Sequence, residues 1–335
     1  MPVTFRLLRK ARLRANRFLS IWRCFINLSS VPGVWRTLSP LGVGRSHPAG
    51  SIYQDKIYSF GGGGDDFQSL NLSEVYDPAS DRWSQLAPMP TQRSGASAVR
   101  LGDAIYVMGG GFKKPDGRFK FLTTVEAYYP KDDRWEVKPS LLQPHDYPAC
   151  TVLADKIYII GGHHPDATEG GPQTDPGFSF TERWDGRSDT WESVDPLPTP
   201  RFAASAVTVH KQLWVLGGVA AAAKGFHEYD LIEVYDPEKS TWSQNAIRLP
   251  YSSAGQGAVV FGDALYVFGG FREGIGIGKH GEVLSLKNKT WSSLPPMPFD
   301  RAAMGIAALG KTIYLIGGWR ANRSVKNSVI GFSHE

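Results

Sequence analysis

The sequence predicts an all-β protein made of six copies of one four-stranded unit. Two markers each recur six times along the 335 residues: a pair of glycines after a short apolar run, and a tryptophan. From each of these tryptophans to the next glycine pair there are 26 or 27 residues, whereas the stretch that follows the pair varies between 21 and 29. A constant length is expected where every residue is paired or packed, and a variable length marks a tolerated loop. The markers are Gly61-Gly62, Gly109-Gly110, Gly161-Gly162, Gly217-Gly218, Gly269-Gly270 and Gly317-Gly318, with Trp35, Trp83, Trp135, Trp191, Trp242 and Trp291.

The second repeat shows why each unit is read as four strands, here called a to d. Ala96–Arg100 is strand a, and Ala104–Met108, which ends at a glycine pair, is strand b. Thr123–Tyr128 is strand c, and a turn rich in Pro and Asp leads into strand d around Trp135. Alternation with a period of two, β-branched and aromatic content, and Gly, Pro and Asp between the segments all favour strands over helices.

The two ends of the repeat array complement each other. The array begins with a strand d, Val34–Leu38, that has no a, b or c strand before it. It ends with three strands, Ala303–Leu309, Thr312–Ile316 and Asn327–Phe332, that have no strand d after them. Joining the two ends would complete a sixth unit and remove the exposed sheet edge that an open array would leave.

These features resemble the kelch repeat family. The resemblance is carried by the double glycine, the tryptophan, the Met/Leu-Pro-x-x-Arg segments, and the motifs Tyr76-Asp77-Pro78 and Tyr235-Asp236-Pro237. It covers about residues 33–333, and the spacing of 48 to 56 residues between glycine pairs is near the kelch period. The resemblance implies a six-bladed β-propeller over residues 31–335, closed by an N-terminal strand that joins the C-terminal blade.

The charge of the chain is concentrated in its first 30 residues. The whole chain carries 37 Lys and Arg against 32 Asp and Glu, a net charge of +5. Residues 1–30 hold seven of the basic residues and no acidic one, so the remainder has a net charge of −2. A nucleic-acid partner is therefore not expected for the propeller. The only cysteines, Cys24 and Cys150, exclude a disulfide framework and a thiolate metal cluster.

Residues 1–30 form a basic arm for which several interpretations stay open. An arginine-rich, acid-free and amphipathic segment is typical of an organelle transit peptide. It is also typical of a helix that lies on an anionic membrane surface, which allows weak membrane contact. A secretory signal is less favoured because Arg23 interrupts the apolar stretch. We favour an unstructured tail or a transit peptide, and a cytoplasmic location where no targeting occurs.

Strand parity indicates which face of the propeller carries the recognition surface. Four antiparallel strands place the b–c loops and the d–a connections on one face, and the variable lengths fall in the b–c loops. Ten residues after each tryptophan stand residues that should form a ring around the channel mouth, four of them arginines. Four guanidiniums there would bind carboxylate or phosphate groups; alternatively they bridge neighbouring blades through loop carbonyls. The ring residues are Arg45, Arg93, His145, Arg201, Ser252 and Arg301, and Tyr147 belongs to the same predicted surface.

The b–c loops supply further candidate contact residues. Aromatic side chains beside arginines are typical of recognition hot spots, although some of these aromatics could simply pack the loops down. The candidates are Asp65, Phe112, His163, His164, Arg272, Trp319 and Arg320.

Neither a metal nor a cofactor is expected. His163 and His164 with Asp166 suggest a metal site, but adjacent histidines converge poorly and no third ligand stands at a recognisable spacing. The sequence contains neither a P-loop nor a Gly-x-Ser-x-Gly elbow. Some propellers of the resembling family are sugar isomerases or mutarotases, for which Glu169, His145 and the ring arginines would be the candidates.

The sequence thus predicts a recognition scaffold that binds a protein segment or an acidic ligand at the face carrying the b–c loops and the arginines. The alternative is an enzyme that uses the same channel mouth, either a small-molecule isomerase or a biosynthetic catalyst. The fold does not choose between them. We expect the protein to be a monomer.

Overall fold

The computed structural model describes residues 31–169, 175–222, 225–272, 274–322 and 324–334. Within these ranges the chain forms six antiparallel four-stranded sheets. Each innermost strand packs against the innermost strands of the two neighbouring sheets, so the sheets close into a ring. The predicted six-bladed β-propeller is confirmed. The basic arm, residues 1–30, lies outside the described residues.

The blades are numbered in chain order, and their strands run from a at the channel to d at the rim. In the order a to d, the strands are Ala49–Tyr53, Lys56–Phe60, Ser73–Asp77 and Arg82–Gln85 in blade 1; Ser97–Leu101, Ala104–Met108, Val125–Tyr129 and Arg134–Lys138 in blade 2; Ala149–Leu153, Lys156–Gly162, Phe178–Asp185 and Thr190–Val194 in blade 3; Ser205–Val209, Gln212–Leu216, Ile232–Asp236 and Thr241–Gln244 in blade 4; Gly257–Phe261, Ala264–Phe268, Gly281–Ser285 and Thr290–Ser293 in blade 5; and Gly305–Leu309, Thr312–Ile316, Val329–Ser333 and Val34–Leu38 in blade 6.

Both ends of the described chain build blade 6, as the sequence predicts. Strand d of this blade pairs antiparallel with strand c, with Val34 opposite Ser333 and Leu38 opposite Val329. The N-terminal strand therefore supplies the rim of the C-terminal blade and closes the ring. The other predicted strands lie within two residues of the observed ones; for example, strand c of blade 2 begins at Val125 rather than Thr123.

The six marker tryptophans join neighbouring blades at the rim. In every blade the indole N–H donates to a backbone carbonyl in the segment that follows strand d of the preceding blade. Trp83 of blade 1, for example, donates to the carbonyl of Ser39 at 2.9 Å. Its ring also packs on Tyr76 across the sheet, with ring centroids 5.1 Å apart. The tryptophan therefore fixes where each blade begins relative to its neighbour.

The glycine pairs are required where strand b leaves the sheet. Gly269 has a φ of +58°, and a Cβ added there would lie 2.1 Å from the carbonyl oxygen of Arg301. The backbone N–H of the next residue, Gly270, donates to this same carbonyl at 2.9 Å. A side chain at this position would thus force apart the loop of one blade and the entry segment of the next.

Candidate functional site

All the length variation of the repeats opens on one face, which we call the loop face: the b–c loops and the d–a connections. Three b–c loops carry small hairpins, in blades 2, 4 and 5, and two carry 3₁₀ turns, in blades 1 and 3. The a–b turns on the opposite face contain two residues each, which keeps that face uniform. The predicted separation of variable and constant segments is therefore observed. The hairpins are Gly111–Lys113 with Phe119–Phe121, Val219–Ala222 with Gly225–Glu228, and Phe271–Arg272 with Gly276–Ile277.

The predicted arginine ring is buried, and this corrects its assignment as a ligand-binding surface. Arg45, Arg93, Arg201 and Arg301 are each 2% exposed or less. The first three form ion pairs with Glu74, Glu126 and Glu233, which lie at equivalent places on strand c. Arg301 instead donates to carbonyl oxygens of its own blade and to the hydroxyl of Ser328.

The fourth pair of this kind uses a histidine. His145 is fully buried, and its Nε2 lies 3.1 Å from the carboxylate of Glu182. Since an ion arriving from solvent does not meet any of these side chains, the geometry favours the second interpretation of the ring. The arginines and the histidine hold each entry segment against its blade.

The ring position of blade 5 is Ser253 and not Ser252. At every ring position the backbone N–H donates to a carbonyl in the b–c loop of the preceding blade or at the start of its strand c, as Arg45 does to Lys326 and Arg301 does to Gly278. In blade 5 it is Ser253 that makes this bond, to Tyr229 at 3.1 Å. The register slips because this repeat has 27 residues between tryptophan and glycine, and the additional residue precedes the ring position.

A second ring of residues lines the channel mouth itself. These residues lie two positions after the buried ring, and all six have a φ between +49° and +64°. Five of them donate their backbone N–H to the carbonyl of the equivalent residue in the neighbouring blade, at 2.7 to 3.0 Å. The residues are His47, Gly95, Tyr147, Ala203, Gly255 and Ala303, and they surround a cavity of about 140 Å³. The mouth is therefore narrow and lined mostly by small side chains.

His47 and Tyr147 are the large side chains of this mouth. Their rings meet edge to face with centroids 4.4 Å apart, and His47 also contacts the predicted candidate Trp319 at 5.0 Å. Burial, together with the nearby His163, lowers the pKa of His47 to about 3, so the imidazole is neutral at physiological pH. Burial also raises the pKa of the Tyr147 hydroxyl above its usual range. This aromatic wall carries no charge.

A histidine–aspartate pair lies beside the mouth. The Nδ1 of His163 donates to the carboxylate of Asp175, and the imidazole stacks on Phe202 with centroids 3.8 Å apart. Asp146 lies close by with 3% of its surface exposed, and burial and the charge of Asp175 raise its pKa well above the ordinary value. The sequence suggested His163 but gave no sign of Asp146, which lies between the two rings of the repeat, or of Asp175, which lies in the b–c loop of blade 3.

The remaining candidates are dispersed over the loop face. Asp65 lies in the exposed 3₁₀ turn of blade 1, and the half-buried Phe112 faces the ammonium of Lys120 at 5.9 Å. Arg272 lies flat over the ring of Tyr251, 3.6 Å from its centroid. Arg320 already holds Asp300, with two nitrogens within 3.2 Å of one oxygen.

His163 and His164, the pair that the sequence analysis considered and disfavoured as metal ligands, contact different carboxylates through their side chains. The Nδ1 of His164 lies 3.6 Å from a carboxylate oxygen of Asp166, whereas the Nδ1 of His163 contacts Asp175. Among the residues that the structure describes, no three His, Cys, Asp or Glu side chains come together as a metal site. The side chain of Glu169, a candidate of the enzyme alternative, lies outside the described part.

The exposed apolar side chains are the feature of this face that the sequence did not reveal. Of the seven large hydrophobic residues that are exposed in the described part of the chain, only Val137 lies on a rim strand. The other six all lie in b–c loops or d–a connections: Val43, Phe67, Leu142, Phe226, Phe271 and Ile275. Contiguous exposed apolar surface on a protein marks an interaction site, so the loop face is where such a site is to be sought.

The opposite face carries a groove of about 480 Å³ in blade 5. It is lined by Val31 and by residues around the a–b turn, including Phe261 and Tyr266, and Asp263 is its only ionisable acid. The groove lacks the converging polar groups of a ligand site.

No helix in the described part of the chain is long and apolar enough to cross a bilayer.

Comparison with known proteins agrees with this architecture. Kelch-like protein 36 of Rattus norvegicus is 32% identical over 283 residues, which is 82% of this chain and 43% of that protein. Kelch-like protein 36 of Bos taurus is 27% identical over 80% of this chain and 42% of its own length. Beta-scruin of Limulus polyphemus is 29% identical over 70% of this chain and 26% of its own length. The chain thus spans less than half of each of these relatives.

A solved structure and a family profile complete the comparison. The structure of YjhT aligns with a TM-score of 0.73 over 87% of this chain and 95% of that one, at 20% identity, which shows a shared fold alone. The profile of the Attractin/LZTR1 β-propeller family matches residues 33–275, well over half of the chain. The chain therefore belongs to the Attractin/LZTR1 β-propeller family and is a six-bladed kelch propeller.

Proposed function

We propose that this propeller is a recognition scaffold whose loop face binds a protein segment. The observation that carries the proposal is the gathering of Phe67, Phe226, Phe271 and Ile275 with the other exposed apolar residues on this one face. Exposed aromatic and aliphatic side chains supply most of the binding energy of protein interfaces. They stand on loops and hairpins held by a rigid ring, the arrangement by which scaffolds present binding residues.

The test is a comparison of surface variants in affinity capture. We expect the double variant Phe226→Ser, Phe271→Ser to lose partners that the unaltered propeller captures, since both side chains are exposed on b–c hairpins. Val137→Ser is the matched control, because Val137 is 73% exposed but lies on a rim strand. Quantitative mass spectrometry should show proteins that the double variant loses and the control keeps, with equal Tm for all three. If the double variant captures the same proteins as the control, the proposal is wrong.

The histidine–aspartate pair favours one alternative, a proton-transfer enzyme at the mouth. A carboxylate on Nδ1 fixes the tautomer of His163 and leaves Nε2 as a proton acceptor. Asp146, whose pKa is raised by burial, is a carboxylic acid that can donate a proton. Two neighbouring groups with opposite proton roles are the arrangement that acid–base catalysis requires. The reaction class would be isomerisation of a small molecule.

Ligand-observed NMR with a metabolite extract tests this alternative. A substrate of the mouth should show saturation transfer with the unaltered protein, and the interconversion of its isomers should depend on His163. His163→Gln should keep the fold and abolish the interconversion. Binding without interconversion in the unaltered protein, or interconversion that survives the substitution, argues against catalysis by this pair.

A further inference from the structure

Blade 5 departs from the carboxylate pattern of the other blades. Five blades have a glutamate as the second residue of strand c or at the equivalent place, and in blades 1 to 4 the ring residue of the same blade pairs with it. In blade 5 the glutamate is Glu282, and the ring residue is Ser253, which is too short to reach as an arginine does. Blade 6 has the opposite arrangement, with Arg301 in the ring and Ile330 on strand c.

Glu282 has also lost its second usual partner. In blades 2 and 4 a threonine two residues before the ring position donates its hydroxyl to the glutamate, at 2.7 Å from Thr91 and 2.8 Å from Thr199. In blade 5 this place is taken by Tyr251, whose ring lies under the guanidinium of Arg272 instead. Glu282 is 3% exposed, and none of the described residues forms a hydrogen bond with its carboxyl group.

Arg272 is likewise exceptional among the described arginines of the loop face. The others are engaged: Arg320 by Asp300, Arg248 by Asp230, and the ring arginines by glutamates or carbonyls. Arg272 forms no hydrogen bond or ion pair with a carboxylate or carbonyl group in the described part of the chain, and its guanidinium carbon lies 3.6 Å from the centroid of the Tyr251 ring. The Tyr251 ring therefore positions a half-buried guanidinium whose N–H donors are not used within the described residues.

The surroundings of Arg272 match a protein segment better than a free ion. Phe271 precedes it on the same hairpin and is 42% exposed, and Ile275 at the hairpin turn is 65% exposed. An arginine between exposed apolar side chains is the composition of an interface hot spot. A carboxylate flanked by apolar residues is the group that fits both features.

We propose that Arg272 binds an aspartate or glutamate side chain of the partner segment and that Glu282, on strand c of the same blade, must hold a proton for this contact to form. The inference rests on the proposed binding function of the loop face. It assigns the contact with an acidic group to the b–c hairpin of blade 5, and no longer to the buried arginine ring.

The requirement for protonated Glu282 follows from the charges around it. The charged group that acts on Glu282 is Arg272 from the hairpin. Tyr251 of the entry segment lies under Arg272, His280 stands two residues before Glu282, and Val267 and Ser293 pair with Glu282 within the sheet. Burial raises the pKa of Glu282 to about 8, and the charge of Arg272 acts against this rise. Burial and Arg272 lower the pKa of His280 to about 4, so His280 stays neutral where Glu282 titrates. Ionised Glu282 would compete for Arg272 and repel the incoming carboxylate.

Affinity should therefore be greatest below the pKa of Glu282 and fall as the pH rises through it. Short acetylated and amidated peptides with one Glu among Leu, Phe, Ser and Gly residues are the probe, and peptides with Gln in place of Glu are their controls. At about pH 7 we expect the Glu peptides to bind the propeller at least ~10-fold more tightly than the Gln peptides. Arg272→Gln should remove this difference, Arg272→Lys should restore part of it, and Arg320→Gln, the matched control, should leave it unchanged.

The variant Glu282→Gln separates the effect of the Glu282 proton on affinity from the effect of Arg272. This variant should keep the affinity measured at neutral pH and lose the decline between about pH 7 and pH 9. Three results would each overturn the inference: equal binding of Glu and Gln peptides, equal effects of Arg272→Gln and Arg320→Gln, or a decline that persists in Glu282→Gln. If the Phe226, Phe271 double variant loses partners while Arg272→Gln keeps them, only this inference fails; if neither loses them, the proposed function fails as well.

Discussion

Arg93 and Glu126 form an ion pair in which the two side chains are 0% and 1% exposed. The same guanidinium donates to the carbonyl oxygens of Gly109 and Thr124, at 3.2 and 3.0 Å. Arg93 therefore joins the entry segment of blade 2 to both ends of its b–c loop. A buried charge with all its partners supplied in this way is a structural element, and removing one partner leaves the other charge unsatisfied.

Substitution of either partner is expected to destabilise the propeller. Arg93→Gln and Glu126→Gln should each lower the free energy of unfolding by about 3 kcal/mol, because each leaves a buried group without its counter-charge. The double variant Arg93→Met, Glu126→Leu should cost less than the sum of the two single variants. Urea unfolding monitored by tryptophan fluorescence measures these differences.

Charge reversal extends the same prediction. The sequence-based hypothesis of a ligand-binding ring expects a double reversal, Arg93→Glu with Arg201→Glu, to abolish binding without changing Tm. The buried geometry predicts that this variant fails to fold, since it places two carboxylates together in two blades. A folded double variant with normal Tm would contradict the structural role of the ring.

Gly269 and Gly262 offer a matched test of the glycine-pair requirement. Both have φ near +58°, but a Cβ at Gly269 would meet the Arg301 carbonyl, whereas one at Gly262 would meet nothing within 4 Å. Gly262→Ala should cost about 1 kcal/mol of stability, the penalty of a left-handed alanine. Gly269→Ala should cost at least ~2 kcal/mol more, because the loop must also move. Equal losses in urea unfolding would mean that conformation alone, and not close approach, selects glycine there.

The repeat markers sufficed to predict the fold because each reports a contact made in every blade. Trp83 and its five equivalents donate to the neighbouring blade, and the glycine pairs pass against the next entry segment, so both recur at fixed spacing. The closure of the ring by Val34–Leu38 was predicted from the same repeats, because the first repeat lacks strands a to c and the last lacks strand d. The features that recur in every blade could therefore be predicted from a single sequence.

The candidate site was less accessible to prediction because it depends on departures from the repeat. Arginine at the ring position has the same spacing whether it faces solvent or a buried glutamate, and only the structure shows the pairing of Arg45 with Glu74. The one-residue shift to Ser253 hid the isolation of Glu282. Whether Phe226 or Phe271 is exposed depends on the orientation of its hairpin relative to the propeller. The alternation of apolar and polar residues along a strand does not encode that orientation.

Glu282 makes stability depend on pH in a predictable direction. Its pKa is about 8 in the folded protein and near 4.5 in the unfolded chain. Below the lower value both states hold the proton and the group contributes nothing. Between the two values only the unfolded carboxyl ionises, so stability falls as the pH rises and levels off above about 8.

Glu282→Gln should remove this loss. At neutral pH the variant is expected to be more stable than the unaltered protein by on the order of 3 kcal/mol, and at about pH 4 the two should be equal. Urea unfolding at both pH values measures the difference, and NMR of the glutamate carboxyl carbons measures the titration directly. A variant that is less stable at neutral pH would mean that Glu282 is ionised and paired in solution.

Trp35 is the residue through which the N-terminal strand is expected to close the ring. Its indole N–H donates to the carbonyl of Pro295 at 3.0 Å, and its ring contacts Phe268 of blade 5 and Phe332 of blade 6. Trp35→Ala should lower the free energy of unfolding by about 3 kcal/mol, because it removes a packed ring between two blades. Trp35→Phe should lower it by about 1 kcal/mol, since it keeps most of the packing and loses the hydrogen bond. Because Val34–Leu38 is the rim strand of blade 6 among the described residues, hydrogen exchange in Trp35→Ala should rise first in Val329–Ser333, the strand that pairs with it. An increase spread evenly over all six blades would show instead that the ring opens as one cooperative unit, and that this strand does not close it.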